Sequence, residues 1–466
     1  MTTDMHLTEV TFNALEFAGW VKGAPRNLPE SFCGVIQDTR HLKPGMLYVA
    51  LRGEHFNGHD FVRQALAAGA AAALVDQSME GYPGAESWPL IRVADTRRAL
   101  LEGAGAWRAS SGAKIVAITG SSGKTTTKEM TAAICAAGGR VCRTRGNLNN
   151  DIGLPLSILA MPPDCDFGVF ELGTNHPGEI ALLAETLHPD VGVISSIGSA
   201  HIENFGSTEA IAAEKGALLQ HLSASGCAVL SREMLHFRQV ERRCGVPVVT
   251  VSLLDKNADY YGEIRDLMGG RVRIIERDTG AGVELHSGVP GRYNIYNLML
   301  AFAAARRAGV PAESAQAALE KLVIPGMRWQ MVETTGGIRF INDAYNANAE
   351  SMKAVLELFS EVECAGRKVV VLGDMLELGG FAESLHSGVG ATAAAVDPDL
   401  LCLVGPLAGR FAAEGALRAG LAPAKVLCCT DAAEAGRRLA DRLRRGDLVL
   451  LKASRGMHLE EVLDEF

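Results

Sequence analysis

A β-branched run at residues 114–119 passes without a linker into Gly120-Ser121-Ser122-Gly123-Lys124-Thr125-Thr126 and then into a helical stretch reaching residue 136. Strand, glycine turn and helix in that order allow few folds. The turn belongs at the carboxyl edge of a parallel sheet, with the helix packed back onto one face. Such a turn presents successive backbone N–H groups and a helix N-terminus to an anion. Lys124 can neutralise terminal phosphates, and the Thr125 hydroxyl is available to Mg²⁺. Glycines are needed because a Cβ would block close approach of phosphate oxygens. An ordinary glycine-rich turn is the plainer alternative, but the Lys-Thr pair is placed for phosphate. The spacing is shorter than G-x-x-x-x-G-K-[ST], which would require glycine where Ile118 stands.

The rest of the chain extends this α/β pattern. Glycine is abundant, at 51 of 466 residues, and aromatics make up only 6%. That composition favours many strand-to-helix turns over an all-β sandwich. Short apolar runs at 167–172 and 191–197 read as parallel strands buried on both faces. Beyond Gly337, apolar runs at 338–342, 368–372, 400–404, 425–428 and 448–451 alternate with helices expected to start near Ala349, Phe381, Pro406, Asp431 and Met457. These are βαβ units of a second parallel sheet. The first 93 residues hold short strands at 34–37, 46–50 and 72–75 and one helix near 61–68. Residues 260–286, with Gly269-Gly270 between alternating arms, read as a hairpin leaving the central unit. At about 150 residues per domain, the length fits three domains. We place them at 1–93, 94–325 and 326–466: a small N-terminal α/β unit, a central P-loop-type mononucleotide-binding domain with a mostly parallel sheet, and a C-terminal Rossmann-like domain.

Lys and Arg total 45 against 54 Asp and Glu, a net charge of −9. This speaks against nucleic acid or an anionic membrane as partner, but not against small anions, which need only local cations. Ten cysteines, none spaced C-x-x-C, read as buried or free thiols of a reducing compartment. Asp4, Glu9 and Glu16 stand where a signal peptide needs a basic and then an apolar segment. The alanine-rich stretch 65–75 falls short of the ~18 residues of a membrane span. A cytoplasmic protein without membrane insertion is expected.

Glu171 ends one of the two strands read after the phosphate loop, and His201 follows the other. In a parallel sheet both fall at the loop's edge, where they can converge on nucleotide-bound Mg²⁺. Lys215 lies in a helical stretch at 208–221, where a lysine is ordinarily solvated. Gly291-Arg292-Tyr293-Asn294-Ile295-Tyr296-Asn297 opens an alanine-rich helix. The amides of Asn294 and Asn297 carry both donor and acceptor, as a purine edge requires; helix capping by Asn294 is the alternative.

The T-G-x-x-G-K-T loop, with Glu171, His201 and the G-x-x-N-x-x-N segment, resembles the Mur ligases and their folylpolyglutamate and cyanophycin synthetase relatives. These enzymes join an amine to a carboxylate using ATP. More narrowly, Gly146-Asn147-Leu148-Asn149-Asn150-Asp151-Ile152-Gly153, Asn342-Asp343-Ala344-Tyr345-Asn346-Ala347-Asn348 with Glu350-Ser351-Met352, residues 373–379 with His386, and Lys452-Ala453-Ser454-Arg455 resemble the members that add D-alanyl-D-alanine to a UDP-N-acetylmuramoyl-tripeptide in peptidoglycan synthesis. The resemblance implies the UDP-sugar end in the first domain at Asp38, Thr39 and Arg40, with Phe56-Asn57-Gly58-His59 in a matching segment. It implies ATP in the second and the dipeptide in the third. Arg328 would reach the phosphates, Asp343 the ribose, with Tyr345 and Asn346 beside the nucleotide, and Asn147, Asn149, Asn150 and Thr174 beside the substrate. Two Mg²⁺ ions are implied at Thr125, Glu171, His201 and Lys215, the last as a carbamate, and the chain would be a monomer. Met327 intrudes where some members read P-G-R. The rivals are the ligase adding the third amino acid, whose D-N-P-R segment this chain lacks, and a P-loop kinase.

Overall fold

The computed structural model describes residues 10–466. Asp4, Glu9 and the start of the expected 1–93 unit lie outside the described residues.

Three principal sheets follow one another along the chain. The first orders its strands Ala24–Arg26, Leu90–Arg92, Ala72–Val75, Leu47–Val49 and Val35–Ile36, with only the first antiparallel to its neighbour. Beside it the short ladder Thr11–Asn13 and Ser31–Cys33 builds an aromatic cluster. Phe12 lies 5.7 Å from Phe17, 5.3 Å from Phe32 and 4.9 Å from Trp107 between ring centroids. Trp107 sits on helix Thr96–Ser110, which also packs on helices of the central unit, so this cluster joins the first two units.

The central sheet has nine strands. In order they are Gly282–His286, Arg271–Glu276, Tyr260–Asp266, Val248–Ser252, Cys227–Ser231, Val191–Ile194, Lys114–Thr119, Phe167–Glu171 and Val141–Arg143. Lys114–Thr119 is buried from Ile115 onward, and its side chains alternate between two cores. Ile115 and Ala117 pack with Leu100, Leu154 and Leu183. Val116 and Ile118 pack with Met130, Ile295 and Leu298. The period of two along an all-apolar strand thus requires a helical layer on each face.

The hairpin expected at 260–286 forms, but it does not leave the sheet. Tyr260–Asp266 continues the parallel ladder beside Val248–Ser252, and Arg271–Glu276 and Gly282–His286 extend it antiparallel. Val272, Ile274 and Leu285 give these strands one apolar face, covered by helix Arg292–Arg307. Covering that face is the physical reason the segment stays in the sheet.

The third sheet orders Gln330–Glu333, Arg339–Asn342, Leu448–Lys452, Lys368–Gly373, Leu400–Val404 and Val426–Cys429. It is parallel except for the first strand, whose largely exposed residues carry no apolar run to announce it. The helix expected near Met457 is replaced by 3-10 turns at Arg455–Met457 and Leu459–Glu465. His458, left-handed at φ 49°, breaks the path between them. No helix among the described residues is long and apolar enough to cross a membrane.

Candidate active site

Register places the site. Glu171 pairs with Ile118 and Ile194 with Thr119, so the ends of three parallel strands lie side by side. The loop that leaves Thr119 turns on two glycines. Gly123 has φ 82°, and a Cβ there would lie 2.5 Å from Asn297 Oδ1. A Cβ on Gly120 would fall 2.0 Å from Ser195 Oγ. No larger residue fits either position. Helix Lys124–Cys135 starts at Gly123 without a side-chain cap, leaving its first N–H groups for an anion.

The side chains around the loop are ordered by one another. Lys124 Nζ donates to the Gly120 carbonyl at 2.8 Å. Burial pulls the Lys124 pKa down from the ordinary amine range, Glu171 opposes that shift and Arg328 adds to it. The Glu171 carboxylate accepts the Thr125 hydroxyl at 2.9 Å on one oxygen and Asn149 Nδ2 at 2.8 Å on the other. Thr144 Oγ1 accepts the Glu171 backbone N–H at 2.9 Å, and Thr144's own carbonyl accepts Nζ of the buried Lys128 at 2.9 Å.

The third unit closes over this edge. Arg328 donates to Thr125 Oγ1 at 3.1 Å, and its guanidinium stacks 3.8 Å from the Tyr345 ring centroid. Asn348 Nδ2 donates to Ser122 Oγ at 2.9 Å. Glu350 accepts the Ser199 N–H at 3.0 Å and its hydroxyl at 2.8 Å. Asp343 accepts Lys452 Nζ at 2.5 Å and the Trp329 N–H at 2.8 Å, and Lys452 also donates to the Asn346 carbonyl at 3.1 Å. His201 Nδ1 pairs with the Glu377 carboxylate. Together these walls enclose a cavity of about 750 Å³.

Ser121 through Thr126, Asn147, Asn149, Asn150, Glu171, Thr174, His201, Asn294, Asn297, Arg328, Asp343, Tyr345 and Asn346 all line this cavity. Asn294 is not a helix cap, since Gly291 holds that position. Its Oδ1 accepts Asn297 Nδ2 at 3.1 Å, and Asn297 Oδ1 accepts the Thr127 hydroxyl at 3.2 Å. Asn150 Oδ1 accepts the Gly153 N–H at 2.8 Å, and the Thr174 hydroxyl donates to the His176 carbonyl at 2.9 Å.

Lys215, expected beside these residues, is not among those that line the cavity; it is 2% exposed, next to Glu214 on helix Thr208–Gly216. The Glu214 carboxylate accepts the Gly178 and Ile180 N–H groups at 2.7 and 2.8 Å. Asp38, Thr39 and Arg40 lie outside this cavity. There Arg40 forks onto Asp38 at 2.7–3.1 Å and holds its carboxyl down at about 2.

Among the described residues no three His, Cys, Asp or Glu side chains gather closely enough to hold a metal by themselves. The Thr125 hydroxyl and Glu171 carboxylate beside an anion loop instead suit Mg²⁺, which takes most of its ligands from phosphates and water. Glu350, Glu377 and Lys452 stand in segments that the sequence marks, yet their partners come from distant elements. Spacing holds no signal of which of these side chains face the site.

The sequence matches the Mur ligase family catalytic domain over residues 32–108, the Mur ligase middle domain over 118–305 and the Mur ligase glutamate ligase domain over 327–455. It is 38% identical over 435 residues to the UDP-N-acetylmuramoyl-tripeptide–D-alanyl-D-alanine ligase of Bacillus subtilis, covering 93% of this chain and 92% of that one. The fold superposes on the crystal structure of MurF from Acinetobacter baumannii with TM-score 0.89 and 27% identity, covering 98% and 99% of the two chains. Thermotoga maritima MurF in complex with ADP gives TM-score 0.79 and 26% identity, covering 93% and 96%.

Proposed function

Because this chain belongs to the Mur ligase family, we propose that it joins D-alanyl-D-alanine to a UDP-N-acetylmuramoyl-tripeptide at the expense of ATP. The products are the pentapeptide precursor of peptidoglycan, ADP and phosphate. One observation carries the reading: an anion loop and the carboxyl edge of a second sheet face each other across a single cavity. That arrangement suits a reaction in which one unit brings ATP and another brings the nucleophile.

A carboxylate is a poor electrophile, so the γ-phosphoryl group passes first to the tripeptide's terminal carboxylate. A P–O bond to ADP breaks as the acyl phosphate forms. Both reactants are anions. Lys124 and the uncapped first N–H groups of helix Lys124–Cys135 lower their repulsion and stabilise the charge spreading over the transferred group. Arg328, stacked on Tyr345, brings a further cation from the third unit. Mg²⁺ held at Thr125, Glu171 and His201, with a second ion at carbamylated Lys215, would supply additional neutralisation of phosphate charge. The dipeptide amine then attacks the acyl carbon, loses a proton, and phosphate departs. Water would destroy the acyl phosphate, and the contacts of Asn348, Glu350 and Glu377 with the central unit exclude it.

In this reading residues 1–93 hold the UDP-sugar at Asp38, Thr39 and Arg40, 94–325 hold ATP and 326–466 hold the dipeptide. Asn147, Asn149, Asn150 and Thr174 face the tripeptide, Asn294 and Asn297 the adenine, and Asp343 the ribose with Tyr345 and Asn346 beside it. A cytoplasmic monomer accords with this use of ATP and soluble precursors. The test is product mass spectrometry with ATP, Mg²⁺, D-alanyl-D-alanine and tripeptides ending in either meso-diaminopimelate or L-lysine. A product heavier by one dipeptide, formed only when all components are present, supports the reading. ATP hydrolysis without ligated product overturns it.

A further inference from the structure

We propose that Glu377 is a positioning residue that aligns His201 only while the third unit is docked, so that phosphoryl transfer is confined to the closed enzyme. The proposal rests on the ligase reading above. His201 lies in the loop after strand Val191–Ile194 and is left-handed at φ 59°; Glu377, in the third unit, is left-handed at φ 60°. L side chains seldom adopt this region. Here two such residues from different units meet side chain to side chain. His201 Nδ1 has no accessible surface and makes no well-aligned hydrogen bond, but it lies within ion-pair reach of the Glu377 carboxylate, while the residue as a whole lines the cavity. With Nδ1 covered, Nε2 is the ring nitrogen left without a protein partner among the described residues.

The arm that presents Glu377 is rigid. Asp374 accepts the N–H groups of Leu407 and Ala408 at 3.3 and 2.6 Å. His386 Nε2 accepts the Met375 N–H at 3.0 Å, while its Nδ1 faces the Ala382 carbonyl at 2.7 Å. Ser454 Oγ accepts the Leu376 N–H at 3.0 Å. The Glu377 carbonyl in turn accepts the Glu203 N–H at 3.4 Å, two residues beyond His201. Glu350 grips the same loop from its other end at Ser199. The third unit therefore holds the 199–203 loop at both ends.

A carboxylate on Nδ1 fixes the imidazole tautomer and ring angle and leaves the Nε2 lone pair for whatever occupies the cavity. Undocking removes that carboxylate. His201 is then free to turn, and phosphoryl transfer slows where water would consume the acyl phosphate.

The test is a double-mutant cycle between Glu377 and His201, read in two ways. Glu377 is half exposed, so E377A folds, and melting temperatures check this. E377A lowers kcat on the order of tenfold, with KM for the tripeptide within about twofold. E377Q, whose amide oxygen still accepts Nδ1–H, recovers most of the loss. In the H201A background E377A has no further effect. Calorimetric titration with ADP and Mg²⁺ runs the same cycle without turnover: E377A weakens binding several-fold in the wild-type background and not in H201A. Equal losses in both backgrounds, or no loss from E377A, overturn the proposal. A wild-type protein that fails to ligate while the calorimetric coupling persists overturns the ligase reading and leaves the contact standing.

Discussion

Lys215 should behave as a neutral, CO₂-reactive amine. Burial takes it from its ordinary 10.5 to about 7, with Lys124 adding to the shift and Glu214 opposing it. At pH 7.5 an ordinary lysine is neutral in about one molecule in a thousand, whereas a pKa near 7 leaves roughly three quarters neutral. The nucleophilic fraction rises several hundredfold, enough for carbamate formation at ordinary bicarbonate. Equilibration with ¹³C-bicarbonate should give a carbamate signal in the wild type that K215A lacks, and CO₂-free buffer should lower ligation reversibly. The same shift fixes a stability slope. Between about pH 7 and 10.5 the unfolded chain holds a proton that the folded chain does not, so stability rises with pH across that window. Below it the full cost, about 5 kcal/mol, is present. In CO₂-free buffer K215M should therefore be more stable than wild type near pH 6, with the gap closing toward pH 10. A lysine that shows no ¹³C signal and a K215M stability difference independent of pH would refute the reasoning.

Three further outcomes follow from the geometry. Lys124→Ala should keep the fold and lower ligation on the order of a thousandfold or more, since Arg328 reaches the loop at Thr125 and leaves the place of the Lys124 ammonium beside Gly120 unfilled; near-wild-type turnover would remove the site assignment. Lys452→Met strands Asp343 and should cost about 3 kcal/mol in denaturant titration while raising KM for ATP, and pairing it with Asp343→Asn should return part of the stability. Phe12→Ala opens a hole beneath Phe17, Phe32 and Trp107, and should destabilise the first unit by about 3–5 kcal/mol, read through tryptophan fluorescence.

The strand, loop and helix around Gly120–Lys124 were legible because one local sequence states all three: β-branched residues, two glycines where no Cβ fits, then helix formers. Short apolar runs and βα alternation likewise announced most strands of the second and third sheets. Gln330–Glu333 escaped because an exposed edge strand needs no apolar pattern. The turn at His458 escaped because a single left-handed residue leaves no periodic trace. The hairpin at 260–286 was visible, but whether it stayed in the sheet depended on helix Arg292–Arg307 arriving to cover Val272, Ile274 and Leu285.

By itself the sequence determined an anion loop, its edge of the sheet, three α/β units and the residue types gathered near that edge. Those properties depend on local sterics and hydrophobic period, which neighbouring residues encode. Tertiary structure alone decided that Lys215 is buried, that Lys452 answers Asp343, and that Glu350 and Glu377 cross from the third unit to hold Ser199 and His201. Each is a contact between residues a hundred or more positions apart, or a burial set by such contacts, and no local pattern specifies which distant charge will arrive to compensate another.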